Sequence, residues 1–510
     1  MRTIALMSIL DWIDVGQVAA ERDDNLSNYF YDAGLSRRVI GDPRQFLLLG
    51  RKGAGKTAVF RHLQQRPTGL FDENDNLVAL SFVNYSWKAH ALLANAEKAP
   101  TASQRDSWRF VIAVECVRAL VQSAADKNEK PEPAIREAAA LLERLFSKPV
   151  PSWLDLLGGK LFRLSKFKAP SFSQDGASLG EVNFSEVAED KSLKAQLAQN
   201  LENITAELEA KLKAGMGEQR VFLIFDSLDE AWDQTSLDEC KRIITGLIHA
   251  ADHYTTTFKG SIRPIVFLRE DIFGELDLND KNKLREDCGS ILSWNYESLE
   301  KMLLTRINFF AKKANQPERM SVNALFDRKE MRNRSSPRNY IFQRTFSRPR
   351  DVVAYVKKII ESRKAAKAAG EEVNDADELS ADAIYDAEPA YSEYLVNEIK
   401  DEWKTQTPDI EQFLTAFENI STTLFSPEAF EAELRKKKVN IERSGTRAAM
   451  RFLFDNSIIG IGVNAGTSRQ WRYKCVYPTQ RYEDADQYQV HSGLKRHLGL
   501  RDPKGNNVTE

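Results

Sequence analysis

The chain has no apolar run approaching the ~20 residues a helix needs to cross a bilayer, so no membrane span and no membrane partner are expected. The opening stretch MRTIALMSIL runs into DWID without a small-residue cleavage site, which argues against a secretory leader. Cysteine is scarce: Cys116, Cys240, Cys288 and Cys475 lie far apart, with no CxxC pair. That leaves a disulfide framework and a zinc site without support and points to a reducing cytoplasm. Histidine is scarce too. His249 and His253 stand four apart on an expected helix, but no HExxH glutamate lies between them, so a structural role is expected. Excess charge of either sign is also missing. The 72 Lys and Arg against 74 Asp and Glu leave a net charge of −2 and a pI of about 6.4. A polycation is excluded, and any nucleic-acid contact must come from a local basic surface. No repeat of fixed period is present.

What is there suits a globular chain. Hydrophobic residues make up 42% and charged residues 29% of 510 residues, enough for a large core spread over two to four domains. Residues 1–40 read as helical and polar. QFLLLG (45–50) reads as a short buried strand, and TAVFRHLQQ (57–65) follows at helical spacing. NLVALSFVNY (76–85), RVFLIFD (220–226) and IRPIVFLRE (262–270) are further strand candidates. Helical stretches at 107–125, 192–215 and 236–254 alternate with them, which predicts a parallel α/β sheet. The expected boundaries are an N-terminal segment 1–40, an α/β core 41–294 with an insertion at about 145–190, a mainly helical region 295–370, an acidic linker or solvated helix surface 371–389, and a C-terminal domain 390–510.

The stretch LLLGRKGAGKT (47–57) carries the chemistry. Gly50, Gly55, Lys56 and Thr57 fit GxxxxGK[ST], between a strand and a helix as that motif requires. Glycines, Gly53 among them, let the loop wrap so that amides, including those near Ala58, face phosphate oxygens. Lys56 would reach the terminal phosphates and Thr57 would ligate Mg²⁺. ATP and Mg²⁺ are therefore the expected ligands, although the sequence does not separate adenine from guanine.

Such a cradle needs partners, and VFLIFDSLDE (221–230) offers them. Asp226 ends a buried strand, where an open parallel sheet places ligand-binding groups, and is the candidate magnesium carboxylate. Glu230, with Asp229 as neighbour or substitute, is the candidate to orient the attacking water. Alternatively, both acids open the next helix, where they suit its dipole. Arg269 ends the next strand and either senses the γ-phosphate or pairs with Glu270 or Asp271. Arg348 and Arg350, in TFSRPRDVV, precede an apolar-periodic helix and either face the nucleotide or serve as ordinary helix-start chemistry. Tyr29 and Phe30 are candidates to stack on the base, or else are core.

LLLGRKGAGKT, LIFDSLDEAWD (223–233), IVFLRED (265–271) and FSRPRDVV (346–353) together resemble AAA+ and STAND-type P-loop ATPases, especially bacterial ones of antiphage defence loci. The resemblance covers about residues 40–360. It implies an α/β P-loop NTPase core, a parallel sheet flanked by helices, with a helical lid and a C-terminal winged-helix-like domain. In such families Arg269 would be a sensor arginine and Arg348 or Arg350 a second sensor in the lid. No inter-subunit arginine finger is obvious, and Arg285 and Arg306 are either fingers or surface charges. The segments 410–420, 426–437 and 446–456 would be the three helices of the winged helix, with SIIGIGV and WRYKCVY as wing strands. Its third helix carries Arg447 and Arg451 among apolar residues, which favours packing over groove reading. In the insertion, Lys160, Arg163, Lys166 and Lys168 alternate with Phe162, Phe167 and Phe172, a pattern of nucleic-acid grip or of a solvent-facing strand pair. The expectation is a cytoplasmic ATP-hydrolysing switch that forms a homo-oligomer or controls a partner effector, with DNA possible but not required. A DNA-associated ATPase of the origin-recognition or loader type and a scaffold holding ATP structurally are the alternatives.

Overall fold

The computed structural model describes residues 8–83, 90, 99–146, 166–173, 176–183, 191–229, 237–371, 376–437, 445–465 and 468–503. It divides into two compact units. One comprises Gly34–Arg51 and Lys56–Leu292; the other comprises Met1–Ala33, Lys52–Gly55 and Ser293–Glu510.

The first unit is built on a five-stranded sheet. Its strands are β1 (Leu47–Gly50), β2 (Asp75–Ser81), β5 (Arg220–Asp226), β6 (Ile262–Arg269) and β7 (Gly289–Ile291), in the spatial order β2-β5-β6-β1-β7. Every pairing is parallel. Leu47–Leu49 and Val221–Phe225 are fully buried. A parallel sheet covered on both faces has no solvent side, so its strands are continuous apolar runs rather than alternating ones. The helices Pro100–Asp126, Lys191–Gly215 and Leu237–Thr257 supply much of that cover. Gly246 lets two of them meet closely, since a Cβ there would lie 2.6 Å from Cβ of Gln104 and 2.7 Å from its carbonyl carbon. Trp108 then locks the pair, its indole N–H donating to the Ile243 carbonyl at 2.9 Å. An antiparallel hairpin, β3 (Lys166–Ser173) with β4 (Gly176–Asn183), falls within the expected insertion. Its side chains, and residues 147–165, lie outside the described residues, so the basic and aromatic alternation is not placed.

The second unit is mainly helical. The helix Tyr296–Lys313 starts on a reciprocal capping box between Asn295 and Ser298. The helices Pro349–Ala368 and Asp382–Trp403 pack together through the rings of Tyr355 and Tyr391, 4.2 Å apart and nearly parallel. The acidic stretch 371–389 is not a linker over its second half. Helix begins at Asp382, with Asp382 and Asp386 exposed while Ala383, Ile384 and Ala387 are buried. Glu388 is buried as well, held by Arg344 at 2.9 Å and the Tyr340 hydroxyl at 2.8 Å. Of the expected polar helical segment 1–40, Leu35–Gly41 is α-helical, but residues 8–33 are neither uniformly polar nor mainly α-helical. Ile9, Leu10, Trp12, Ile13 and Val15 join the core of this unit, and of residues 8–33 only Ile9–Trp12 is α-helical.

Further along, the helices Ile410–Ile420, Pro427–Lys436 and Gly445–Asp455 accompany a four-stranded sheet ordered β10-β9-β11-β8. Its strands are β8 (Leu424–Phe425), β9 (Ile459–Ala465), β10 (Ser468–Arg472) and β11 (Tyr488–Val490). Of WRYKCVY, only Trp471 and Arg472 are strand. The chain then turns inward, because the Cys475 amide donates to the Ser457 hydroxyl at 2.7 Å and Tyr473 packs over the bare face of Gly460.

Candidate nucleotide site

In the first unit, β1 delivers the glycine loop and the helix Lys56–Gln64 leaves it. Register sets Gly50 opposite Arg269 on β6, so the loop opens beside that arginine. Lys56 bends back over its own loop, its ammonium donating to the carbonyls of Gly50 at 3.1 Å and Arg51 at 3.3 Å. Burial holds its pKa below the usual lysine value, against the pull of Asp229 and Asp226.

Asp226 lies at the carboxyl end of β5 and is 3% exposed. Burial pushes its pKa up to about 6, with Asp229 adding to the rise. Lys56, the Ser227 amide and the Thr57 hydroxyl pull the other way without cancelling it. A buried carboxylate with undercompensated charge beside a threonine hydroxyl is a hard-oxygen donor pair that suits a magnesium ion. Ser227 immediately follows in the left-handed region at φ +64°. For a serine this conformation is strained, and such strain gathers at functional sites.

Arg269 is 8% exposed and forks onto Asp271, with Nη2 to Oδ2 at 2.6 Å and Nε to Oδ1 at 3.1 Å. Its Nη1 lies 3.9 Å from Asp229. The ion-pair alternative therefore describes its present state. Glu230 lies outside the described residues. Arg285 pairs with Glu270 at 2.5 Å.

The second unit includes the loop tip, Lys52–Gly55. Gly53 and Gly55 both have positive φ, +76° and +101°. A Cβ on Gly53 would stand 3.4 Å from Cδ of Arg348 and from Cβ of Arg350. Arg348 is 6% exposed. Its guanidinium binds Asp351 at 3.0 Å, Glu402 at 3.0 Å and the Lys52 carbonyl at 3.3 Å. Arg350 binds Glu398 at 2.5 Å, and its amide faces the Gly53 carbonyl at 3.5 Å. Trp294 adds a further hold, its indole N–H donating to the Ala54 carbonyl at 2.8 Å. Sequence reasoning placed both arginines but missed Glu398, Glu402 and Trp294. Those two glutamates sit four apart on a helix with nothing local to link them to the loop.

Two candidates prove to be core. Arg306 is buried, binding Asp23 at 3.0 Å and the Val15 carbonyl at 2.8 Å, and lies over the ring of Tyr29. Tyr29 is 1% exposed and donates its hydroxyl to Asp23. Neither a finger nor a base-stacking ring is available from this pair. His253 lies 3.3 Å from Glu209, a structural contact.

The sheet order, with the glycine loop leaving β1 and Asp226 ending a strand two places away, defines a P-loop NTPase core. Residues 297–400 match the FunZ-associated C-terminal helical domain. Over 298 residues, 57% of this chain, the sequence is 24% identical to the putative transposon gamma-delta 80.3 kDa protein of Escherichia coli (strain K12). That match takes in 38% of the curated relative's length. Among solved structures, the chain is similar to the Walker-type ATPase paby2304 of Pyrococcus abyssi, with a TM-score of 0.39 and 12% identity over 92% of this chain and 95% of that one. It is also similar to Cdc6p from Pyrobaculum aerophilum, with a TM-score of 0.31 and 11% identity over 93% and 98%. No described helix is long and apolar enough to cross a membrane.

Proposed function

We propose that the chain is an ATP-hydrolysing switch. The carrying observation is the convergence of Lys56, Thr57 and Asp226 at the carboxyl edge of a parallel sheet, where a lysine lies on carbonyls that a phosphate would replace as its partners. Amides of the loop through Gly50, Gly53, Gly55 and Ala58 would cradle phosphate oxygens. Lys56 would swing from Gly50 and Arg51 to the terminal phosphates. Thr57 and Asp226 are the residues that would hold Mg²⁺, whose contribution is charge neutralisation at the phosphates. Glu230, with Asp229 beside it, would orient the attacking water.

Arg269 would sense the γ-phosphate by exchanging Asp271 for it. Arg348 and Arg350 are held by Glu402 and Glu398, so any contact they make with nucleotide requires those pairs to open. Such exchange is a two-state device, and nucleotide can bias it only through a difference in affinity for the two states. We assign the output to homo-oligomer assembly or control of a partner effector in the cytoplasm. The FunZ-associated match and the transposon-encoded relative support a setting in genetic conflict, antiphage defence included.

A DNA-associated ATPase is the second reading. It is favoured by the helix, strand, helix, helix, strand-pair order of residues 410–472, which is that of a winged helix. Against it, Arg447 pairs with Asp484 at 2.9 Å and Arg451 lies 3.6 Å from Asp455. ATP turnover with and without double-stranded DNA, using Lys56→Ala as the blank, separates the two. Turnover that requires Lys56 and ignores DNA supports the switch. Strong stimulation by DNA promotes the second reading, and turnover equal to the blank in both conditions defeats hydrolysis as the function.

A further inference from the structure

A pocket of about 260 Å³ opens within the second unit, and none of the residues that line it is one assigned to nucleotide chemistry. Val18, Ala19 and Ala354 give it apolar walls, and Arg22, Lys357 and Lys358 bring three cations to it against one acid, Glu361. Lys357 is engaged with the Gln17 side-chain oxygen at 2.7 Å. Arg22 and Lys358 have no ion-pair partner among the described residues. Like charges gathered around one concavity repel, and the repulsion is relieved when an anion enters.

We propose that this pocket is a second anion site, taking the phosphate or diphosphate group of a small soluble ligand. The volume is below the 300–1,000 Å³ of a typical drug-sized pocket, which favours a phosphate group over a whole nucleotide. Its position gives binding a route to the glycine loop. Ala354, Lys357 and Lys358 lie on the same helix as Arg350, and Tyr394, which lines the pocket, lies one turn before Glu398, the partner of Arg350. The Tyr394 hydroxyl is buried with no hydrogen-bond partner and feels the charges of Glu398 and Arg350.

This assignment does not depend on ATP being the ligand of the glycine loop, and the test keeps the two apart. Inorganic pyrophosphate is titrated calorimetrically into the full chain at physiological salt, and into Lys56→Ala, which weakens any binding at the loop. One site is expected to persist in Lys56→Ala. In that background Arg22→Glu or Lys358→Glu should each weaken it at least tenfold, and Arg22→Ala about threefold. Lys312→Glu, an exposed reversal on another helix, should leave it within twofold, and melting curves check that each variant is folded. Loss of all binding in Lys56→Ala, or charge reversals that change affinity less than twofold, would overturn the proposal. So would displacement of pyrophosphate from this site by saturating ATP in the unsubstituted chain.

Discussion

The two ends of the glycine loop differ in how their charges are answered. At the Lys56 end, Asp226 is buried with too little positive charge around it, and the lysine rests on backbone carbonyls. At the loop tip, Arg348 and Arg350 meet three carboxylates, Asp351, Glu402 and Glu398. The first leaves its buried carboxylate undercompensated. The second has its charges paired and works as a clamp, although Arg348 Nη2 and Asp351 Oδ1 are buried without a hydrogen-bond partner. A serine at positive φ stands next to each: Ser227 after Asp226 and Ser347 before Arg348. Strain therefore does not distinguish an open site from a closed one, whereas the balance of charge does.

The largest effect that would break this contrast is at the clamp. Arg348→Ala leaves Asp351 and Glu402 buried without their cation, and should cost about 3–5 kcal/mol of stability in denaturant unfolding. A loss below about 1 kcal/mol would mean that the pairs are easily replaced. Next comes the open end, where Asp226→Asn should lower ATP turnover at least ~100-fold, about 2.7 kcal/mol, while melting stays near that of the parent. Equal turnover would remove Asp226 from the chemistry.

A third test uses one buried histidine from each unit. Burial holds His90 and His491 down to about 3, against an ordinary value near 6.5. Both are neutral when folded and take up protons on unfolding. Their contribution is complete above pH 6.5 and is lost as pH falls toward 3. Between pH 6.5 and 5 the loss should be about 2 kcal/mol for each, and His491→Asn should flatten the slope of the second unit alone. An unchanged slope would show that His491 titrates normally. The smallest effect is expected at Arg447→Ala, an exposed pair with Asp484. Stability should stay within about 0.5 kcal/mol and DNA affinity should not change; a tenfold loss of DNA binding would restore the groove-reading role.

Much of the first unit was legible in the sequence. Strands such as 47–50 and 220–226 are apolar runs ended by a candidate site residue, so pattern and motif agree. The short β7 was missed because three residues carry no period. In the second unit, 371–389 was read as an acidic linker or a solvated helix surface; the helix is present from Asp382, and what its acidity concealed is an inner face of alanine and isoleucine. The arginines 348 and 350 were placed correctly at a helix start, but Glu402 and Glu398, which hold them, lie 54 and 48 residues away in sequence. Arg306 was read as a finger or a surface charge because nothing in LLTRINFF announces Asp23. Long-range charge pairing leaves no local trace in the sequence.

One contact recasts the loop as something observable. The Trp294 indole is tied to the Ala54 carbonyl, and indole emission shifts when such a bond is made or lost. The chain therefore carries its own optical gauge of loop conformation. The difference between its spectrum and that of Trp294→Phe isolates this one among 8 tryptophans, so the kinetics of loop rearrangement can be followed in a stopped-flow cell without attaching any dye.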